Sequence, residues 1–316
     1  MLYYHFINKD FLIFRGKERL DLINRLSTNQ VDKLHIYQGL KTILTSDKGR
    51  VIDILTLFVF DDFVLSACSY SNSSIVKTHL DKYTIMDDFR CEDISGTHKY
   101  VLFYGDDVTG FAEKELSFDA GKHSNNDFMI FKLDGFDILA ASNDDGFGGI
   151  IVVYPAGADD VFKNKFLSNE IAGKYNMQSV NEAKYNIKRI ELGIPEIPDD
   201  INEDINPLEC GLSKYLSFTK GCYIGQEVIA RLDTYDKINK HLVGIKFGNQ
   251  VAIDMRNSKI YDEKNECGYI TSTAISGKFG TIGLGYVKTQ FLNYETGYHV
   301  NRDNEIINCK LSKLPF

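Results

Sequence analysis

The stretch KGCYIGQEVIAR, residues 220–231, decides how the rest of this 316-residue chain is read. Its first eight residues hold two glycines, a cysteine next to a tyrosine, a lysine, and an amide beside a carboxylate. If residues 220–223 are extended, Lys220 and Cys222 share a face, because side chains alternate along a strand. An ammonium beside a thiol favours the thiolate, which is the nucleophilic and metal-binding form. Gly221 and Gly225 allow a sharp turn or a close approach to a ligand. A helix beginning at Gly225 puts Gln226 and Glu227 in its first turn, where the helix dipole favours a carboxylate. The bland alternative is a buried cysteine in a glycine-rich corner with the lysine reaching solvent, since free cysteines are among the most buried residues.

Upstream of this stretch the chain alternates strand and helix patterns. FLIF (residues 11–14) reads as a strand ended by Arg15-Gly16, and KERLDLINRLSTNQVDKL places Leu20, Ile23, Leu26 and Val31 near helical spacing. Residues 40–68 read as three consecutive strands with turns at residues 46–49 and at Asp61-Asp62. A helix over SNSSIVKTHLDKY is capped by Ser71, Asn72 or Ser73, and YVLFYG followed by DDVTGFAEKEL is strand, turn and helix. The glycines of that last segment lack the Lys-Ser/Thr of a phosphate-binding loop. FMIFKL, FDILAAS and GIIVVYP are three more strands, and SNDDGFGG between the last two reads as a hairpin turn, because a calcium loop needs alternating ligands and a distal Glu. Residues 159–192 are helical and end at Gly193, with Pro195 and Pro198 beyond. The acidic EIPDDINEDINPLECG is a long loop. After Lys240, HLVGIKF, VAIDM, KIYD, CGYITSTAI, TIGLGYV, YHVNR and IINCKL are short β runs with no helix between them, a small all-β barrel or sandwich. The fold class is α+β followed by a β module, with a discontinuous α+β region over residues 1–240 and a barrel over 241–316.

Composition narrows the function. A balance of 43% hydrophobic and 25% charged residues is that of a globular protein. The formal net charge of −8 argues against broad binding to phosphate backbones, so direct nucleic-acid binding is not expected. The six cysteines show no C-x-x-C spacing and no histidine at zinc-finger spacing, so no structural metal site is expected, and scattered single cysteines fit a reducing compartment. The apolar start has no basic leader, and the longest apolar run is broken by Asp53, Asp61 and Asp62. A cytoplasmic protein away from membranes is the expectation.

Two further constellations carry chemistry. In RIELGIP (residues 189–195), Arg189 and Glu191 sit two apart near a helix end. The plain reading is a surface ion pair of little worth; the sharper one is a carboxylate in a cleft that accepts two N–H donors from a planar ligand edge. In GRVID (residues 49–53), Asp53 follows a turn; a solvent-facing aspartate on an edge strand is the default, and a catalytic base is the alternative.

Together these segments resemble the YgfZ-like folate-binding proteins, relatives of the glycine cleavage T-protein (aminomethyltransferase). KGCYIGQEVIAR is similar to their signature, GKERLDLINRLSTNQVDKL to their N-terminal helix and turn, RIELGIPEIPDDINEDINPLECGL to their R-x-E-x-G segment, and ECGYITSTAISGKFGTIGLGYV to their C-terminal barrel. The resemblance implies a three-lobed fold with a ferredoxin-like middle lobe and a small barrel, around a channel for tetrahydrofolate. It implies that Glu191 contacts the pterin, with Arg189, Tyr223, Gln226, Glu227 and Arg231 as further folate-binding residues. Cys222 is then the key thiol, with Lys220 and Asp53 as its companions in chemistry. It further implies a monomer that supports assembly or repair of iron–sulfur proteins, among them radical enzymes that modify transfer RNA, above all under oxidative stress. The T-protein itself reads Gly-Gly-x-x-Asp-Asp where this chain has GRVIDI, so that Arg50 replaces a glycine and Ile54 an acid. The alternative implied is a folate-dependent aminomethyl- or methyltransferase with Asp53 as its acid–base residue.

Overall fold

Every turn between residues 40 and 68 falls where the Ser-Asp-Lys-Gly and Asp-Asp signals place it. The computed structural model describes residues 1–119, 127–235, 237–248, 254–302 and 305–316. Strands β1 (Leu2–Phe6) and β2 (Lys9–Arg15) open the chain, followed by helix α1 (Arg19–Leu26). Strands β3 (Gly39–Thr45), β4 (Val51–Val59) and β5 (Phe63–Ser69) come next, then α2 (Ser73–Tyr83) and β6 (Arg90–Asp93). They form a five-stranded sheet in the order β3-β4-β5-β2-β6. Its buried face, with Leu12, Phe14, Leu55 and Leu57, packs with Leu22, Ile23 and Leu26 of α1 and with Val76 and Leu80 of α2.

The helix expected over residues 17–34 stops at Leu26. The Ser27 hydroxyl donates back to the Ile23 carbonyl at 2.7 Å, and Asn24 accepts the Val31 N–H at 3.0 Å. Such side-chain bonds to the main chain compete with helix continuation, and Val31 reaches the core from a loop.

Strands β7 (His98–Gly105), β8 (Phe128–Leu133), β9 (Phe136–Ser142) and β10 (Ile150–Pro155) build a second sheet, with helix α3 (Val108–Glu115) after β7. Helices α4 (Asp159–Phe166) and α5 (Asn169–Lys174) and strand β11 (Met177–Ser179) follow. The order is β11-β1-β7-β10-β9-β8. Strands β11, β7, β10 and β9 stand in ferredoxin-like order, with β1 inserted between β11 and β7 and β8 added at the far edge. SNDDGFGG does connect the antiparallel pair β9 and β10. The run expected to be helical from residue 159 to 192 is interrupted by β11, which pairs in parallel with β1.

Helix α6 (Glu182–Leu192) ends at Gly193, whose φ of 72° is left-handed. Helix α7 (Gln226–Thr234) precedes the strands β12 (Lys240–Phe247), β13 (Lys259–Tyr261), β14 (Glu266–Ser276), β15 (Gly280–Lys288), β16 (Gly297–Arg302) and β17 (Glu305–Ser312). These close into a barrel in the order β12-β15-β14-β13-β16-β17, filled by Val243, Ile245, Ile260, Ile270 and Val300. Closure removes the exposed sheet edges. Of the expected strand VAIDM, residues 251–253 lie outside the described residues, and Asp254 and Met255 are not in a strand.

Two compact units result. The first comprises Met1–Thr45, Ile52–Asn181 and Tyr215–Ile224; the second comprises Ser46–Val51, Glu182–Lys214 and Gly225–Phe316. Among the described residues no helix is long and apolar enough to cross a membrane.

Candidate functional site

In the first unit, residues 215–224 are laced to α1 and its exit. The Thr28 hydroxyl donates to the Tyr215 carbonyl at 2.7 Å, and the Ser217 N–H donates to the Thr28 carbonyl at 2.9 Å. At the other end the Ile224 N–H reaches the Arg25 carbonyl at 2.9 Å, and the Thr45 hydroxyl reaches the Ile224 carbonyl at 2.8 Å. Between these anchors lies Lys220, buried at 7% exposure. Its Nζ donates to the carbonyls of Asn24, Ser27 and Asn29 at 2.6, 2.8 and 2.6 Å. That uses all three N–H donors of an ammonium and sets a cation at the C-terminus of α1, where the helix dipole favours it. Burial pulls the pKa of Lys220 down to about 8, with Asp32 acting the other way.

Residues 220–223 bend and form no strand, so alternation does not place Lys220 beside Cys222. The bland alternative is also reversed: Cys222 is exposed and Lys220 is buried. The other five cysteines are buried, and burial raises the thiol pKa of Cys68, Cys91, Cys210 and Cys309. Tyr223 is buried beneath Lys220, with Nζ 5.1 Å from the ring centroid, and burial pushes its hydroxyl up to about 12.

Asp53 lies on β4, an interior strand of its sheet, and is fully buried. The expectation of a solvent-facing aspartate on an edge strand is therefore corrected. Its Oδ1 accepts the Ser69 hydroxyl at 2.7 Å and the Ile54 N–H at 2.6 Å, and its Oδ2 accepts Nδ2 of Asn72 at 2.7 Å and the Ser69 N–H at 3.2 Å. Asn72 stands at the N-cap of α2 yet makes no side-chain cap there; its amide turns to Asp53 and to the Ile52 carbonyl. Burial raises the Asp53 pKa, and the bonds from Asn72, Ser69 and Ile54 oppose it.

In the second unit, Arg189 is completely buried, which corrects the expectation of a surface ion pair there. Its Nη1 donates to Asp200 at 2.6 Å and to the Ile194 carbonyl at 3.2 Å, and Nη2 donates to the Ser272 hydroxyl at 2.9 Å. Glu196 stands 3.2 Å from Nε. Burial, the largest influence, lowers the guanidinium pKa, but Asp200 and Glu196 outweigh it and hold it above its usual value. Two residues along, Glu191 accepts the Ser276 hydroxyl at 2.6 Å, and Lys188 stands 3.6 Å from its other oxygen. Its side chain keeps 16% exposure. Gly225, the residue that caps the start of α7, has φ 78°, and a Cβ there would stand 2.5 Å from the Ser46 carbonyl oxygen. Only glycine fits this approach. Gln226 is half-buried in the first turn, and Glu227 and Arg231 are exposed.

The structure thus brings Lys220, Cys222 and Tyr223 together on one loop, and Arg189 with Glu191 on one helix end. Reading the sequence alone misses the partners that hold them: the carbonyls of Asn24, Ser27 and Asn29, the Ser69–Asn72 pair around Asp53, and Asp200, Ser272 and Ser276. No local spacing points to these, because they lie 11 to 196 positions away. Among the described residues no group of three or more His, Cys, Asp or Glu side chains is placed to hold a metal ion.

Over 99% of its length the chain superposes on the aminomethyltransferase T of the glycine cleavage system from Bartonella henselae, with a TM-score of 0.84, 16% identity and 86% of that chain covered. The chain has the T-protein fold. Residues 240–316 match the family of the glycine cleavage T-protein C-terminal barrel domain. Among curated relatives, a chloroplastic protein of Arabidopsis thaliana that carries a transferase name is 28% identical over 95% of this chain and 68% of its own length. The aminomethyltransferases of Flavobacterium psychrophilum and Caldanaerobacter subterraneus are 23% and 24% identical, over 96% and 89% of this chain and 84% and 75% of their own lengths. At the level of the superfamily, then, the relatives are T-protein-like aminomethyltransferases.

Proposed function

We propose that this chain is a tetrahydrofolate-binding accessory factor for the assembly or repair of iron–sulfur proteins, acting as a cytoplasmic monomer with Cys222 as its working thiol. The observation that carries the reading is the inversion within the 220–223 segment. The hydrophilic lysine is locked inside on three carbonyls, and the cysteine is left in solvent on a loop anchored at both ends. A cysteine kept only for packing would be expected to sit inside. One thiol cannot hold a cluster, which takes several thiolates; it can act as a transient ligand, or as a carrier, towards a cluster or sulfur species belonging to a client.

The residues present suit a folate. Glu191 is partly exposed, and its carboxylate has about four acceptor sites, of which the Ser276 hydroxyl takes one while also fixing the orientation. Two N–H donors of a pterin edge can then be accepted in a charge-assisted pair. Arg189 acts through the α6 end that carries Glu191, as a positioning residue, and Tyr223, Gln226, Glu227 and Arg231 are the further candidates for folate contact. When bound, tetrahydrofolate supplies amine nitrogens that accept a one-carbon unit.

Anaerobic calorimetric titration with tetrahydrofolate tests this half of the reading. Losing a charge-assisted pair costs about 1.5–3 kcal/mol, so Glu191→Gln should weaken binding about tenfold or more. Ser276→Ala, which frees the carboxylate to rotate, should weaken it by less. Unchanged affinity in Glu191→Gln would remove Glu191 from the site.

The second reading, folate-dependent aminomethyl or methyl transfer, is favoured by the names of the relatives. It needs Asp53 to exchange a proton with substrate, yet both oxygens of that carboxylate are engaged by fixed donors away from solvent. Formation of methylene- or methyl-tetrahydrofolate from amine donors, lost in Asp53→Ala and kept in Cys222→Ala, would favour it.

A further inference from the structure

The second unit holds a cleft of about 730 Å³ lined by Arg50, Asp204, Glu209, Lys237, Lys240 and Lys288, among others. Four cations face two carboxylates there, in a chain whose net charge is −8. Glu209 is buried at 3% exposure and is already answered by Arg50, 3.4 Å away, which also donates to the Asp204 carbonyl at 2.8 Å. Among the described residues no carboxylate lies within ion-pair distance of the other three, although the Glu266 carboxyl, held low chiefly by Lys259, also feels Lys288. Lys237 lies over the Tyr235 ring, Lys240 over Tyr269 and Tyr286, and Lys288 donates to the Glu266 carbonyl.

The register makes this arrangement costly. Lys240 and Lys288 are direct partners across the antiparallel pair β12 and β15, and like charges opposite one another destabilise a sheet. The two lysine-bearing segments are nonetheless tied together, the Thr289 N–H donating to the Asn239 carbonyl at 2.9 Å. Arg50 adds a fourth cation at the position where the T-protein pattern has glycine. A folded acidic chain that keeps this repulsion in a recess has a reason to do so when an anion occupies it.

We propose that the cleft binds a flexible polyanion, a chain carrying two or more carboxylate or phosphate groups. The cations come from three separate segments, the 46–51 turn, the approach to β12 and the end of β15, so one compact oxyanion would leave part of the set unmet. This inference stands apart from what Glu191 holds.

The test is calorimetric titration of the full chain with pentaglutamate and, separately, with inorganic tripolyphosphate. The wild type should bind at least one of them, more weakly at about 300 mM than at about 50 mM salt, because exposed charges are screened. The solvent-facing substitutions Lys237→Gln and Lys288→Gln should each weaken binding about fivefold to tenfold, about 1–1.4 kcal/mol, while melting close to wild type, since each removes one exposed charge from the cleft. Binding of pentaglutamate alone identifies a polycarboxylate chain, binding of tripolyphosphate alone a phosphate chain, and binding of both the shared oxyanion chemistry. Absence of binding by the wild type, or binding undiminished in the folded Lys237→Gln/Lys288→Gln double variant, overturns the proposal.

Discussion

Cys222 is the one thiol of six that solvent reaches, and this is directly countable. A disulfide reagent such as dithionitrobenzoate should titrate one thiol in the native chain and six after denaturation; two or more fast native thiols would contradict the described burial. Lys220 sets the loop that presents it. Lys220→Met leaves three carbonyls without their donor, and should lower stability by about 1–3 kcal/mol and speed proteolysis near residues 215–224. The sign of its pH dependence follows from the depressed pKa. Between about pH 8 and the ordinary 10.5, the unfolded chain holds this proton more tightly than the folded one, so stability rises with pH across that window. Below pH 8 both states are charged and the desolvation cost is fully present. Denaturation series should therefore show the gap between wild type and Lys220→Met widening from pH 8 to 10; a gap that narrows would mean the carbonyls raise the pKa. Asp53→Ala strips the acceptor from Ser69 and Asn72 and should cost about 1–3 kcal/mol by urea denaturation.

At the scale of elements, the Arg189–Asp200 pair ties α6 to the 194–200 loop, and both partners bond Ser272 on β14. Breaking a buried pair leaves an uncompensated charge, so Arg189→Met should cost about 3–5 kcal/mol in denaturant midpoint experiments; a loss under about 1 kcal/mol would mean that water reaches Asp200. The elements themselves were largely legible in the sequence. Alternation and turn residues placed β3, β4 and β5, the β9–β10 hairpin and the barrel strands, because these signals are local. What was not legible depends on neighbours distant in sequence. Nothing around Asp53 says whether β4 is an edge or an interior strand, and that alone decides its burial. Strand alternation does not hold from Lys220 to Cys222, because the segment bends to reach carbonyls nearly 200 positions earlier. The α1 helix ended early because Ser27 and Asn24 bond the main chain, and helical spacing of Val31 could not reveal that. Likewise, the RIELG string looks like an exposed ion pair until residues 194–200 and 272 fold over it.

For the molecule as a whole, the barrel and the segment before it are one unit. Ile190 of α6 packs with Ile282 and Leu284 of β15, so residues 240–316 expressed alone would expose this apolar face. A 182–316 fragment should melt cooperatively, and at least roughly 10 °C above the 240–316 fragment, since about 1 kcal/mol moves a domain of this size by 4–8 °C; equal melting would make the barrel independent of α6. The function proposed for the intact chain rests on Cys222. The most direct test is complementation of a bacterial strain lacking its own YgfZ-like protein, with the activity of a [4Fe–4S] enzyme measured under oxidative stress for this protein and for its Cys222→Ala variant. Restoration by the wild type and not by the folded, expressed variant is the predicted result. Equal restoration by both, or by neither, would contradict the assignment of the exposed thiol to iron–sulfur maintenance.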